Sequence, residues 1–384
     1  MSPPRGAAVV APGPFKGALP AAAAASAIAA GLRLSVPGAE TRAVPVADGG
    51  EGTLDALVAA AGGRRRPAIA SDPLGRPVEA AIGELPGGVA VVELAMASGY
   101  ERLAPAERDP EATSTRGTGE LIRAALDLGA RRIVVGLGGS ATTDGGLGLA
   151  SALGVRALDD DGRELEGRGA DLRRVARIDL SGRDPRLDDV VIEVACDVHA
   201  PFHGPAGAAR VYGPQKGAGP EAVDRLDEGL ATLAAAIRDA TGVDLDGVAR
   251  AGAAGGAAGG LMALLGATLE PGAPLVLEAV RLDERLEGAA LCVTGEGRLD
   301  ETSLAGKAPA AVAEACGRRG VPCVALCGEV ALGPGALRRA GFAAALPIGR
   351  ERRPLADALA RSEEDLAAAG AALGRLWDVL SASG

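Results

Sequence analysis

The chain has 384 residues, 48% of them hydrophobic and 23% charged, and its 40 basic and 50 acidic side chains leave a formal charge of −10. That length exceeds one ordinary core and suits two domains, while the composition excludes a disordered chain and the 58 glycines, lacking a three-residue period, exclude a collagen-like one. Net acidity, 2% aromatic residues and no basic run interleaved with aromatics argue against nucleic acid as a partner.

The N-terminal apolar run, 6–11, stops at Pro12, too short for a signal-peptide core or for the ~20 residues of a membrane helix. The expectation is a cytoplasmic protein without membrane contact. From there short β-branched runs alternate with Ala/Leu-rich stretches, the pattern of parallel α/β layers. Strands are predicted over 7–11, 42–46, 132–137, 190–196, 290–294, 322–327 and 343–347, with helices over 20–34, 118–128, 221–240 and 306–318. The stretch 66–94 differs, because its three strand-like runs are separated by DPLGR and PGG and read as antiparallel hairpins. The change of texture near Arg66, and the return of regular alternation after Leu282, predict an α/β fold with a discontinuous domain, 1–65 plus 283–384, carrying an inserted mixed α/β domain over 66–282.

Cys196, Cys292, Cys316, Cys323 and Cys327 are odd in number, have mostly apolar neighbours and read as reduced core residues. Cys323 and Cys327 alternate onto one face of a strand, but no second ligand pair of suitable spacing makes them a metal site. His199 and His203 flank Pro201 and read as loop residues.

Lysine is the informative rarity. Only Lys16, Lys216 and Lys307 occur among the 40 basic residues, and each touches a glycine, in FKG, QKG and AGK. Arg cannot replace Lys where a compact point charge must fit beside a phosphate or inside a tight glycine turn, so these positions point to anion contacts. Salt bridges or helix C-terminal caps are the plainer explanation.

One pattern occurs twice, DGGEGTLDAL from Asp48 and DGGLGLASAL from Asp144, each following a strand and opening a helix. Paired glycines admit close backbone approach, and the first helical turn offers free N–H groups to an anion. An Asp at such a mouth is reconciled by a bridging Mg²⁺, by substrate hydroxyls, or by work as a general base; otherwise each Asp is only an N-cap. No G-x-x-x-x-G-K-[ST] loop and no protein-kinase signature set is present, and Ala141 and Asp300 stand where a dinucleotide fingerprint needs its third glycine.

PFKGAL from Pro14, PVADGGEGT from Pro45, ASG from Ala97, RDPEATSTRGTGELI from Arg108, GLGGSATTDGG from Gly136, CDV from Cys196, GPQKGA from Gly213, AGAAGG from Ala251, TGEGRLD from Thr294 and GKAP from Gly306 occur in this order. Together they resemble the bacterial type I glycerate kinases over nearly the whole chain. The resemblance implies transfer of the γ-phosphoryl of ATP to D-glycerate, on its 2-hydroxyl, with Mg²⁺ accompanying the nucleotide. It also implies a flavodoxin-like parallel-sheet domain from the two chain ends, with the mixed domain inserted. A homo-oligomer is left open.

On this resemblance Asp48 or Asp144 serves as the base, and Lys16 and Lys216 neutralise the transferring phosphoryl group. Arg298, Ser98, Glu51, Gly52 and Thr53 are expected on the substrate. Gly138, Gly139, Ser140, Thr142, Gly145, Gly146, Gln215, Gly255, Gly256 and Lys307 are expected on the nucleotide, and Asp197 and Glu296 on Mg²⁺. The chain departs from the family at Gly13-Pro14, where Asp-Ser is usual, at Thr143 in place of Asn, and at Thr302 in place of Gln. A kinase for another small hydroxy acid and a non-catalytic organic-acid-binding protein are the alternatives.

Overall fold

A computed structural model describes residues 6–304, 306–349, 351 and 353–382. The chain divides into two compact units. One comprises Met1–Asp48, Asp55–Gly62 and Gly272–Gly384, the other Gly49–Leu54 and Gly63–Pro271.

The first unit is built on a fully parallel sheet of Ala7–Val10, Thr41–Ala43, Ala289–Thr294, Cys323–Cys327 and Ala344–Pro347. Numbered in chain order within the unit, these strands lie 2-1-3-4-5, the flavodoxin-like order, whose direction of winding reverses between the first and third strands. Strands buried on both faces need continuous apolar runs rather than alternation, and AAVV and CVALC are buried throughout. The strand predicted over 42–46 pairs only over Thr41–Ala43, because Pro45 has no N–H to give; the chain still runs extended beyond it, with Val44 N and Val46 N donating to Val10 O and Pro12 O. The helix predicted over 306–318 starts at Ala308, with Pro309 in its first turn. On one face the helices Ala21–Ser35 and Ser362–Ala382 pack closely: a Cβ on Gly31 would stand 2.0 Å from Ala367 O. Ile28, Leu32, Leu366 and Trp377 join the core there.

The second unit carries a mixed sheet in the order Thr268–Glu270, Val191–Ala195, Arg132–Gly136, Val89–Glu93, Pro77–Leu85, Arg64–Ser71. The last two and Val89–Glu93 form the expected antiparallel run, and the first four strands are parallel to one another. The DPLGR turn is held by buried Asp72, whose Oδ1 accepts from Leu74 N and Arg76 N while Oδ2 pairs with Arg76 Nε. Register places Glu93, Gly136 and Ala195 side by side at one C-terminal sheet edge. Among the described residues no helix is long and apolar enough to cross a membrane.

Candidate active site

In the parallel-sheet unit the winding reversal sends the loops after the first and third strands in opposite directions and opens a crevice at their C-terminal ends. The loops are tied together at their roots, where Thr294 Oγ1 donates to Ala11 O at 2.8 Å and Gly13 N to Gly295 O at 2.8 Å. Beyond the ties lies a cavity of about 580 Å³ lined by Lys16, Asp48, Glu296, Arg298 and Lys307, so residues from four sequence motifs converge. Phe15 N and Leu19 N exchange hydrogen bonds with the opposite carbonyls across a tight turn, and this leaves Lys16 exposed at its tip.

Each charged group in this cavity has a definable environment. Lys307 Nζ donates to Thr302 Oγ1 at 2.9 Å, and Thr302 in turn donates its hydroxyl and its N–H to Asp300 Oδ1. Arg298 lies 3.4 Å from Asp300 and 3.3 Å from Glu329, both exposed enough to be weak pairs that a ligand carboxylate can displace. Burial pushes the Glu296 carboxyl above the usual range, against the pull of Ser303 and Lys307, and the neighbouring Asp48 charge pushes the same way. One Glu296 oxygen, Oε1, is buried without a hydrogen-bond partner. Lys307 also stands at the N-terminus of the 12-residue helix Ala308–Arg319, whose first residues, Ala308 and Pro309, line the cavity; Pro309 has no N–H, so Ala308 is the one of the two with a backbone donor to offer.

The mixed-sheet unit holds the other predicted residues, and here the twin DGG loops part company. Asp144 is fully buried and its oxygens are consumed: Oδ2 accepts from Thr115 N at 2.6 Å, Thr115 Oγ1 at 2.7 Å and Gly148 N at 3.3 Å, and Oδ1 from Gly146 N at 3.0 Å. Burial raises its carboxyl and the donors oppose that rise. In the first loop Glu93 supplies caps from outside, its Oε1 and Oε2 accepting from Gly52 N at 3.0 Å and Leu54 N at 3.1 Å. Asp48, unlike the fully buried Asp144, sits half-buried on the cavity of its own unit. The two aspartates share a motif but not an environment.

Lys216 is buried, with Nζ donating to Thr142 O at 2.5 Å and to Ser140 Oγ at 3.4 Å. Burial depresses its ammonium to about 7, with the Asp144 charge opposing. Ser140 Oγ and Thr142 Oγ1 are 3.1 Å apart, so this lysine fastens the Ser140–Thr142 turn. Gly139 is exposed with a positive φ, and Gln215 is exposed.

Most of the glycines expected to approach a nucleotide are used differently. A Cβ on Gly138 would lie 2.4 Å from Gly50 Cα, on Gly145 2.4 Å from the Leu233 side chain, on Gly255 2.0 Å from Thr142 O, and on Gly256 2.9 Å from Gly145 Cα. Gly146 meets Gly260 and Ala257 in the same way. These positions need glycine because protein packs on protein. Ser98 and Thr53, expected on the substrate, are fully buried, Ser98 accepting from Thr118 Oγ1 and Thr53 donating to Gly50 O. Glu51 and Gly52 remain accessible. Asp197 sits half-buried just beyond Ala195 in the mixed-sheet unit, so the two expected Mg²⁺ ligands belong to different units.

Glu93 escaped the sequence reading. Its signal was an acid closing the apolar run VAVVE, at a C-terminal sheet edge where burial is affordable only to a carboxylate with donors to accept from. The cysteines are all free and buried; Cys292, Cys316 and Cys323, rather than the Cys323/Cys327 pair, bring their sulfur atoms within 4.8 Å of one another.

The chain is similar to known proteins in sequence and in structure. The sequence model of the Glycerate kinase family matches residues 8–378. Glycerate kinase of Bacillus subtilis (strain 168) is 44% identical over 93% of this chain and 94% of its own length, and glycerate 2-kinase of Escherichia coli (strain K12) is 44% identical over 88% and 90%. A crystal structure from Salmonella typhimurium LT2, assigned as a glycerate kinase 2, superposes with a TM-score of 0.89 at 40% identity, covering 98% of this chain and 99% of that one.

Proposed function

The chain belongs to the glycerate kinase family, and from that premise we propose that it transfers the γ-phosphoryl of ATP to the 2-hydroxyl of D-glycerate, with the two compact units as its domains. The observation that carries this reading is the cavity at the winding reversal of the parallel sheet, where Lys16, Arg298 and Lys307 meet the carboxylates of Asp48, Glu296, Asp300, Glu329 and Asp365 beside a helix N-terminus. Phosphoryl transfer asks a protein for little covalent chemistry and much positioning, and these groups supply it.

The substrate carboxylate is held by Arg298, whose fork suits bidentate binding, with Lys16 adding positive charge from its exposed turn. Asp48 accepts the proton of the attacking hydroxyl; it is the one of the twin aspartates whose carboxylate reaches a cavity. Lys307 and the Ala308 N–H at the start of the helix Ala308–Arg319 hold the phosphate oxygens as charge shifts toward the leaving ADP.

The donor set suits Mg²⁺: a buried carboxylate oxygen of Glu296 lacks a partner, and the Asp48 charge beside it makes a cation welcome. Glu296 would hold the ion, which would supply positive charge to offset that of the transferring phosphate. Asp144 and Glu93 order the two glycine loops, and Lys216 fixes the Ser140–Thr142 turn.

The test is ADP release from Mg-ATP on addition of D-glycerate. Release that depends on D-glycerate is expected; glycerate-independent hydrolysis alone, or no release, would remove the proposal.

A further inference from the structure

The cavity of the parallel-sheet unit has apolar walls that the phosphoryl chemistry leaves unused. Phe15, Ile348, Leu355 and Leu359 line it together with the charged residues. Phe15 and Ile348 are buried, whereas Leu355 is 74% exposed although it stands on a cavity wall. Large aliphatic side chains left open beside a charged site mark a surface that a ligand covers. D-Glycerate has three carbons, all bearing oxygen or flanked by carbons that do, and a triphosphate has no apolar face. Of the reactants in the reading above, on which this step rests, only the nucleoside offers a broad apolar surface.

We propose that Phe15, Ile348, Leu355 and Leu359 form the nucleobase pocket, so that ATP is held entirely within the parallel-sheet unit. The triphosphate then runs to Lys307 and the N-terminus of Ala308–Arg319, which share the same cavity. Asp365 and Ser362 also line it, and both are engaged: Asp365 pairs with Arg353 at 3.0 Å, and Ser362 donates to Ala358 O. The base is therefore held by area and shape at these side chains. The glycine loops of the mixed-sheet unit, filled by their own packing, are not needed for it.

The test compares the wild type with the uncharged substitutions Leu355→Asn and Leu359→Asn. Leu355 is exposed, so its replacement removes no core contact and leaves thermal stability as a control. ADP affinity is measured by calorimetry without glycerate, alongside tripolyphosphate, which has no base. Each substitution should weaken ADP about tenfold or more, the equivalent of losing one aliphatic contact with the base, and leave tripolyphosphate unchanged. In turnover, KM for ATP should rise by the same factor and KM for D-glycerate stay put. Unchanged ADP affinity in both variants would overturn the pocket, as would equal weakening of ADP and tripolyphosphate. Because ADP binding is read without glycerate, its selective loss in the variants upholds the pocket even if no phosphoglycerate forms, and an active wild type with unchanged variants sinks the pocket alone.

Discussion

Replacing Asp144 and Asp48 by Asn in separate variants should give opposite phenotypes from the same motif. The Asp144 carboxylate accepts four hydrogen bonds inside the protein and sees no solvent. Asn keeps one acceptor oxygen and turns an NH₂ toward peptide N–H groups, so at least one donor is orphaned and the rest lose their charge assistance. At about 1.5–3 kcal/mol for a hydrogen bond to a charged group and about 1–3 for an unsatisfied buried donor, the variant should lose roughly 3–5 kcal/mol. For a unit of this size that is a fall in Tm of roughly 10 °C. Asp48, half-buried on the cavity, should lose little stability as Asn, but kcat should drop by about 10²–10⁴, the usual worth of a positioned base. Thermal unfolding by circular dichroism and ADP release well below either Tm separate the two effects. An Asp144→Asn protein that keeps its Tm yet loses as much kcat as Asp48→Asn would refute the division of labour.

Two further substitutions probe the lysine tie and the missing acid. The depressed ammonium of Lys216 binds its proton more weakly folded than unfolded, so between about 7 and 10.5 the unfolded chain carries the extra proton and stability rises with pH. Lys216→Met should flatten that rise when Tm is followed from pH 7 to 10; a parallel rise in both proteins would contradict the assignment. At Gly13 a Cβ would meet Gly295 O at 3.6 Å and Ala308 Cβ at 3.9 Å, ordinary contacts, so an acid fits there without strain. Gly13→Asp adds a carboxylate to the cavity of Asp48 and Glu296, and the Mg²⁺ concentration for half-maximal activity should fall severalfold, by about three to ten times, if ligand charge sets affinity. No change on Mg²⁺ titration would show that the ion is held elsewhere.

The alternation of elements was legible because strand and helix periods are local: runs such as RIVVG and CVALC appear within a residue or two of where they were expected. Strand order was not legible in local periods; the flavodoxin-like 2-1-3-4-5 order was expected only through the family resemblance. That Lys16, Asp48, Glu296, Arg298 and Lys307 line one cavity was not legible from spacing, because the two chain ends that supply them are far apart in sequence. Glycine is an ambiguous signal. A Gly required by a ligand and a Gly required by a neighbouring helix look identical in sequence, and Gly145, Gly255 and Gly256 are of the second kind. Lys216 was read as an anion contact for its rarity, and its Nζ donates to the backbone carbonyl of Thr142, a partner that rarity does not disclose. Leu355 and Leu359 carried no warning at all, since in a six-residue helix two leucines four apart look like ordinary core positions.

The most direct test of the whole account is product identity. The chain is incubated with Mg-ATP and D-glycerate, and the product is divided between two enzymes, one accepting only 2-phosphoglycerate and the other only 3-phosphoglycerate. The account predicts 2-phosphoglycerate in amounts equal to the ADP released. Finding only 3-phosphoglycerate would contradict the assigned hydroxyl, and finding neither would contradict the assignment of D-glycerate as substrate.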